Sequence, residues 1–387
     1  MPLKWVFASD RFLRSYIHKN SKPVSFRNMT TASDGMTYNP GGLSKPVVEP
    51  GSFMFAAAAL DHAHIGGMCT ALETTGARLK YVFDPDAAKA KSFQQMFPHV
   101  EIVDSLDAIL DSPEIKCVAA AAIPSKRCEL GLKVMDAGKD YFTDKSPFTT
   151  LGQLELAKEK VKETGQKYMV YYSERLHNAA TYYAGELARS GAIGSILQVL
   201  VMAPHRLSKE NRPDWFFQKE YYGGIITDIG SHQFEQFFHI AGATDATLNF
   251  SRVENFSNPD KPGLEDFGET SMTMNTGVSC YCRIDWFTPN AARAWGDGRL
   301  FVLGTEGYIE ARKYLDIGRP DGAPSVFFVN HDEEKEVRFE GPQHFPFFGA
   351  LVLDMVNRTE NAMTQEHAFK ATEISLKAQE MADAVRS

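Results

Sequence analysis

The chain has 387 residues, which is too long for one compact core and predicts two globular domains. Its 41 basic and 49 acidic residues give a net charge of -8, which argues against a nucleic acid or an anionic membrane surface as partner. No apolar run approaches the roughly 20 residues that a membrane-spanning helix needs.

Residues 1–50 show no sustained periodicity, and they are expected to form an N-terminal extension or arm. Short apolar runs then alternate with amphipathic stretches. The runs predict strands at residues 53–60, 78–83, 101–103, 117–123, 140–143 and 167–172. The stretches between them predict helices at residues 64–75, 87–97, 106–110, 126–137 and 151–164. This alternation indicates parallel βαβ units, so residues 51–172 are predicted to form a doubly wound α/β Rossmann domain that binds a dinucleotide.

The pattern changes after residue 172, where longer strands are separated by turns. They are predicted at residues 195–205, 246–254, 269–286, 299–303, 307–311 and 325–339. One apolar helix, about residues 227–241, interrupts them. We therefore expect residues 173–364 to form an α+β domain with a large, mostly antiparallel open sheet for substrate binding and oligomerisation. Residues 365–387 are expected to form a C-terminal helix that packs back on the nucleotide domain.

The turn after the first strand is where a dinucleotide pyrophosphate would lie, at a helix N-terminus. The usual glycine fingerprint is missing, because its three positions are held, by strict count, by Ala59, Asp61 and His64. Asp61 would repel a pyrophosphate unless it caps the helix instead. The histidines could donate to phosphate or merely pack. The turn residues predicted to contact the cofactor are Leu60, Asp61, His62 and His64.

Asp84 gives independent support for a dinucleotide site. It ends the second strand about 20 residues beyond the turn, where an acid accepts hydrogen bonds from the adenosine ribose hydroxyls. An acid there disfavours a 2′-phosphate, so NAD is favoured over NADP. The alternative is an acid that only forms the turn Asp84-Pro85-Asp86. Ile123 and Pro124, which follow another buried strand, are predicted to border the nicotinamide.

Two stretches carry residues suited to catalysis. Lys145 follows the strand at residues 140–143, at the sheet edge where ligands bind, and it could stabilise negative charge on a substrate oxygen or simply be solvated. Asp228 and His232 are four residues apart, and so share one face of a helix. The histidine could take a hydroxyl proton while the aspartate binds substrate or orients the ring. The alternative is a helix-capping aspartate and a core histidine.

The five cysteines predict structural thiols, because they form no Cys-x-x-Cys pair and no Cys/His cluster with zinc-ligand spacing. No third ligand stands near Asp228 and His232 in the sequence either, so no metal is predicted. We expect a reduced, cytoplasmic protein. The basic, acid-poor residues 1–28 leave an organelle transit peptide as the alternative.

Taken in order, these motifs resemble the glucose–fructose oxidoreductase, inositol dehydrogenase and rhizopine-catabolism (GFO/IDH/MocA) family. The segment Asp144-Lys145-Ser146-Pro147 is similar to the family's Glu-Lys-Pro motif, with Asp for Glu and one inserted Ser. Gly223-Gly224, Asp228 and His232 are similar to its glycine-rich entry and Asp-x-x-x-His motif. Residues 123–128 resemble its Pro-Asn-x-x-His stretch, with Ser and Cys replacing Asn and His. The resemblance covers about residues 52–385.

The resemblance implies that Lys145, Asp228 and His232 are catalytic, that Lys145 also contacts the cofactor NAD or NADP, and that the protein is a homodimer or homotetramer. The predicted function is hydride transfer between the nicotinamide and a secondary alcohol or ketone of a sugar, inositol or sugar derivative. The predicted substrate-binding residues are Arg175, His205 and Trp215.

Two other functions stay open. A tightly held NAD could oxidise a sugar transiently, as in a redox-neutral NAD-dependent glycosidase or lyase. The chain could also be a non-catalytic, cofactor-free binding protein, which would suit the missing glycine fingerprint.

Overall fold

Two β-sheets organise the part of the chain that the computed structural model describes, residues 45–341 and 343–386. Residues 1–44 of the predicted arm lie outside it. The strands of the first sheet are β1 (Met54–Ala58), β2 (Arg78–Phe83), β3 (Glu101–Ile102), β4 (Ile115–Ala120), β5 (Asp140–Asp144) and β6 (Tyr168–Tyr171). All are parallel and lie in the order β3-β2-β1-β4-β5-β6. The predicted doubly wound Rossmann sheet is confirmed.

Helices connect these strands and cover both faces of the sheet. They are α1 (His64–Glu73), α2 (Ala87–Met96), α3 (Leu106–Leu110), α4 (Pro124–Asp136) and α5 (Leu151–Thr164). Because both faces are covered, β1 and β4 consist mainly of small apolar residues and are almost fully buried. The strand order reverses between β1 and β4, which opens a crevice at the carboxyl ends of these two strands.

A helical segment leads into the second sheet, which has eight strands within the described residues. The two helices are α6 (Ser173–Leu176) and α7 (Ala179–Arg189). The strands are β7 (Ile196–Pro204), β8 (Ala246–Glu254), β9 (Phe267–Met274), β10 (Ser279–Asp285), β11 (Arg299–Gly304), β12 (Gly307–Arg312), β13 (Ser325–Asn330) and β14 (Glu334–Arg338). Their order is β14-β13-β12-β11-β7-β10-β9-β8, and all neighbours are antiparallel except β7 and β10. The predicted mostly antiparallel sheet is confirmed.

The stretch predicted as a strand region at residues 269–286 is a hairpin of β9 and β10. The chain reverses at Gly277, whose φ of +86° favours glycine, and the Gly277 N–H donates to the Met274 carbonyl at 2.8 Å. Residues 325–339 likewise form two strands, β13 and β14. Periodicity alone did not show that each region contains two strands, because the alternation of buried and exposed residues continues on each side of the turn.

Between β7 and β8 lie the short helix α8 (Lys219–Tyr222), a π-helical turn (Ile226–Gly230) and helix α9 (Ser231–Ala241). Two 3-10 turns, Lys209–Asn211 and Asp214–Phe217, precede them. The predicted helix at residues 227–241 therefore exists, but its first turn is wider than an α-helical turn.

Two helices end the described chain, α10 (Pro346–Asn357) and α11 (Gln365–Arg386). The predicted boundary at residue 364 assigns α10 to the second domain, yet its apolar side chains join the core of the first. Helix α11 packs on both cores, with Phe369 in the first and Ile374 in the second. None of the helices in the described ranges is both long and apolar enough to cross a bilayer.

Candidate active site

A buried ion pair joins the two halves of the chain at the edge of the crevice. Lys145 directly follows β5, and its Nζ lies 2.8 Å from Oδ1 of Asp228 in the π-helical turn. Lys145 is 7% exposed and Asp228 9%, so the pair is shielded from water on most sides. Two residues that are 83 positions apart in the sequence thus share one site.

The π-helical turn that carries Asp228 is held by contacts to its backbone. Oε2 of Glu265 accepts the Ile225 N–H at 2.9 Å, and Oε1 of Gln379 accepts the Ile226 N–H at 3.0 Å. Gly224 has a φ of +94°, and a Cβ there would lie 2.3 Å from the side chain of Gln379. The glycine is therefore required for the close approach of α11 to the turn.

His232 lies one turn beyond Asp228 and is also buried. Its Nδ1 has no hydrogen-bond partner among the described residues. Burial lowers the pKa of His232 well below its ordinary value, and the charges of Lys145 and Lys313 lower it further, while Glu174 opposes them. His232 is therefore a neutral imidazole at pH 7, and it can accept a proton. Asp228 contacts Lys145 in this structure.

Glu174 and Lys313 form a second buried ion pair beside His232, and sequence reasoning assigned a role to neither. Gln233 Nε2 donates to Glu174 at 3.1 Å. Burial alone would raise the pKa of Glu174, but the charge of Lys313 and its hydrogen bond to the carboxylate hold this pKa well below its usual range. No spacing in the sequence marks this pair, because its two members are 139 positions apart.

Of the three predicted substrate-binding residues, the structure brings one to this cluster. His205 Nε2 lies 3.6 Å from Glu174 Oε1, and burial lowers the pKa of His205 to about 4. Arg175 instead points its Nε at both oxygens of buried Glu235, each at 2.9 Å, so its guanidinium is held within the protein. Trp215 is half-buried on a 3-10 turn and packs against the core of the second domain.

A cavity of about 310 Å³ opens at the carboxyl ends of β1, β2 and β4. Asp84 lines it, and its carboxylate accepts the N–H groups of Leu60 at 2.7 Å and Asp86 at 2.9 Å. The structure is thus compatible with Asp84 both as a turn-forming acid and as a partner of the ribose. A carboxylate that accepts from two amides keeps further lone pairs for a ribose hydroxyl. Three lysines also line the cavity: Lys89, Lys126 and Lys133.

The turn after β1 lacks the usual glycines, and side-chain contacts are found there instead. Ala59 has a φ of +54°, a conformation that usually requires glycine. Asp61 does not cap α1. Its carboxylate instead lies 2.5 Å from Lys89 Nζ and accepts the Ile123 N–H at 3.3 Å. Lys89 therefore compensates the charge that would repel a pyrophosphate. Pro124 begins α4 next to this contact.

These residues fit a bound dinucleotide. The cavity size and Asp84 suit the adenosine end, and the neutralised Asp61 beside the uncapped start of α1 tolerates a phosphate. The unpaired Nδ1 of His232 and the Lys145 ammonium suit the reacting end.

His62 and His64, the other predicted cofactor contacts, reach back to the end of β5. His64 Nδ1 lies 3.0 Å from Asp144 Oδ1, and His62 Nδ1 lies 3.6 Å from Asp144 Oδ2. Burial lowers the pKa of His62 well below its ordinary value. Burial would raise the pKa of Asp144, but the charges of His64 and Arg127 hold it well below its usual range.

Two protein-family models match the chain. A model described as an oxidoreductase family with an NAD-binding Rossmann fold matches residues 63–172, and a GFO/IDH/MocA C-terminal domain model matches residues 182–310. The crystal structure of a protein assigned as an oxidoreductase from Erwinia carotovora atroseptica SCRI1043 is 44% identical to this chain. The match covers 85% of this chain and 98% of the Erwinia protein, with a TM-score of 0.82.

The curated relatives with named activities include a dehydrogenase and a hydratase. The scyllo-inositol 2-dehydrogenase (NAD(+)) of Bacillus subtilis strain 168 is 25% identical over 256 residues, which is 65% of this chain and 70% of the relative. The 2,7-anhydro-N-acetylneuraminate hydratase of Escherichia coli strain K12 is 23% identical over 264 residues, 67% of this chain and 68% of the relative. The predicted family resemblance is confirmed by these matches.

Proposed function

Because the chain belongs to the GFO/IDH/MocA family of oxidoreductases with an NAD-binding Rossmann fold, we propose that it moves hydride between a nicotinamide dinucleotide and a secondary alcohol or ketone of a sugar, an inositol or a related polyol. The observation that carries this proposal is the buried Lys145–Asp228 pair at 2.8 Å beside the neutral His232. The named inositol dehydrogenase from B. subtilis supports the same substrate class.

His232 is the proposed general base. Its lowered pKa keeps the imidazole deprotonated at neutral pH, and its buried Nδ1 has no competing partner among the described residues. Once it takes the hydroxyl proton, its new positive charge is stabilised by the carboxylate of Glu174, which already acts on it electrostatically. In the reverse direction, the protonated ring returns the proton to the ketone oxygen.

Lys145 is the proposed group that steadies the reacting oxygen. Its ammonium can donate to the substrate oxygen while one of its protons stays on Asp228, which fixes the direction of the side chain. A fixed cation in a site shielded from water stabilises developing negative charge far better than a mobile one. Asp228 thus acts in this proposal by positioning Lys145.

The cofactor would be held in the crevice between β1 and β4. Asp84 would accept from the adenosine ribose, Leu60 and Asp61 would border the pyrophosphate, and Ile123 and Pro124 the nicotinamide. His62 and His64 complete the proposed set on the turn. When bound, the nicotinamide supplies or accepts the hydride. The carboxylate of Asp84 favours NAD over NADP, because it would repel a 2′-phosphate.

The test is a spectrophotometric screen of sugars, inositols and sugar acids against NAD and NADP, followed by three variants. His232→Asn should lower kcat by about 10²- to 10⁴-fold, the usual contribution of a general base, while NAD binding is retained. Lys145→Met removes the ammonium, and Asp228→Asn removes the carboxylate that orients it. Each variant should therefore lower kcat. His99→Asn, an exposed histidine paired with Glu73, is the matched control and should turn over normally. Normal turnover of His232→Asn would contradict the assigned role.

A redox-neutral reaction is the second candidate, and the hydratase from E. coli is the observation that favours it. Transient oxidation of a sugar acidifies the neighbouring C–H bond, and the same His232 and Lys145 could then serve elimination or addition. Product analysis separates the two functions. Oxidised product with an equal amount of NADH supports the dehydrogenase, whereas cleaved or hydrated product without net NADH supports the second candidate.

Assembly into two or four copies and a cytoplasmic location belong to the same proposal. Leu303 and Tyr308 face each other across β11 and β12, and both side chains are exposed on the second sheet. Burying such a pair against another copy would stabilise the assembly. All five cysteines are free and buried, which suits a reducing compartment.

A further inference from the structure

Three side chains with metal-binding atoms converge where the β1–α1 turn meets the end of β5. They are His62, His64 and Asp144, and their ligand atoms all lie within 4.8 Å of one another. The two histidines form a His-x-His pair on the turn, whereas Asp144 is 80 positions further along the chain. None of the three belongs to the proposed catalytic set of Lys145, Asp228 and His232, whereas His62 and His64 are also proposed cofactor contacts.

We propose that His62, His64 and Asp144 bind one divalent transition-metal ion of the zinc type. Zinc binds histidine nitrogen at about 2.0–2.1 Å and carboxylate oxygen at about 2.0–2.2 Å, so tetrahedral ligands lie about 3.3 Å apart. His64 Nδ1 lies 3.0 Å from Asp144 Oδ1, and His62 Nδ1 lies 3.6 Å from Asp144 Oδ2, so each histidine has one carboxylate oxygen near that distance. Because all three ligand atoms lie within 4.8 Å of one another, an ion would draw the most distant pair together by at most about 1.5 Å.

The donor set indicates which ions would bind. Two imidazoles and one carboxylate are the ligand set of open zinc sites, in which a fourth position is left for water or another ligand. Imidazole nitrogen suits zinc, cobalt, nickel and copper, whereas magnesium and calcium prefer oxygen ligands. The site therefore selects against the hard cations.

The surroundings hold Asp144 in the required orientation. Arg127 Nη2 lies 3.3 Å from Asp144 Oδ2, and Arg127 Nε donates to the Ala122 carbonyl at 2.7 Å, which fixes the guanidinium. Carboxylate ligands are commonly oriented by such outer hydrogen bonds, and the second oxygen of Asp144 keeps lone pairs for a metal. The His64 N–H contacts His62 Nδ1 at 3.3 Å, a long hydrogen bond that a metal would replace.

The two histidines of the cluster are also partly exposed. The side chains of His62 and His64 are 12% and 13% exposed, whereas that of Asp144 is fully buried. An ion can thus enter along the histidine side while the carboxylate closes the far side.

The experiment uses the full, untagged chain after removal of metal with a chelator, with neither dinucleotide nor sugar present. Cobalt(II) is titrated in, and the visible absorption of tetrahedral cobalt is followed. Zinc then competes for the site, and bound metal is counted by mass spectrometry. Wild type should bind one equivalent with this absorption. His62→Ala and His64→Ala should each weaken binding at least about 10-fold, since each removes one of three ligands.

His99→Ala is the matched control and should bind like wild type, because this exposed histidine pairs with Glu73. Zinc should raise the thermal midpoint of wild type and of His99→Ala, but not of the two ligand variants. Unfolding of the metal-free variants shows whether each is folded. The proposal is overturned if wild type binds no saturating equivalent, or if both ligand variants keep wild-type affinity. Because neither cofactor nor substrate is present, a failed activity screen would not change this result.

Discussion

Replacing Lys313 with methionine tests whether the buried network beside His232 is an ion pair that folding depends on. Lys313 is fully buried and pairs with Glu174, whose pKa burial would otherwise raise. Removing one partner of such a pair costs about 3–5 kcal/mol, because the remaining charge is left unpaired in the interior. We expect the low end of this range, since Gln233 still donates to Glu174 at 3.1 Å.

The assay is equilibrium unfolding in urea at pH 7, followed by tryptophan fluorescence. Lys313→Met should lose about 3 kcal/mol in free energy of unfolding. The double variant Glu174→Met/Lys313→Met should recover most of the loss, because two apolar side chains of similar volume replace both charges. Lys91→Met, at an exposed helical position, is the control and should stay within about 0.5 kcal/mol of wild type. The reasoning is refuted if Lys313→Met loses less than about 1 kcal/mol, or if the losses in the double variant simply add.

Two further predictions concern packing and pH. Gly131→Ala should lose about 1–3 kcal/mol of stability by overpacking, because its Cβ would lie 2.5 Å from Tyr168 Cε2 and 2.7 Å from Tyr141 Cδ1. Lowering the pH from 7 to 5.5 should cost about 1 kcal/mol for each buried histidine whose folded pKa lies below the unfolded value near 6.5. Burial lowers the pKa of five histidines in this way: His62, His177, His205, His232 and His239.

The sign of the pH effect follows from where the protons bind. The folded pKa of these histidines is depressed, so their contribution is complete above about pH 6.5 and is lost as the pH falls towards the folded value. Urea unfolding at both pH values measures this loss of stability, and equal stability at pH 7 and 5.5 would contradict the prediction.

For the packing prediction, Gly152→Ala is the control, since the atom nearest to a Cβ at this position would be 3.9 Å away. A Gly131→Ala variant as stable as this control would show that the tyrosines move aside freely.

The fold of the first domain could be predicted from the sequence because local residue patterns mark its strands and helices. Buried parallel strands appear as short apolar runs, and β2, α3 and α5 were predicted with the bounds that the structure has. Helices α7 and α10 were not predicted. Helix α10 carries apolar residues on most of its sides, so it lacks the helical periodicity that marks a half-exposed helix.

In the candidate site, too, relationships between nearby positions could be predicted and those between distant positions could not. Asp228 and His232 could be recognised as neighbours from the sequence, since residues four apart share a helix face. The partner of Arg175 could not be predicted, because Glu235 is 60 positions away in the sequence. The resemblance to a family pointed to Lys145, but no spacing in the sequence shows which acid it contacts.

The sequence by itself thus determined the strand–helix order of the first domain, the family and the residues able to carry chemistry, because each depends on neighbouring positions. Only the tertiary structure decided the partnerships: Lys145 with Asp228, Glu174 with Lys313, and the two turn histidines with Asp144. These pairs join segments 80 or more positions apart, and they form only when sheet order and helix packing bring the segments together.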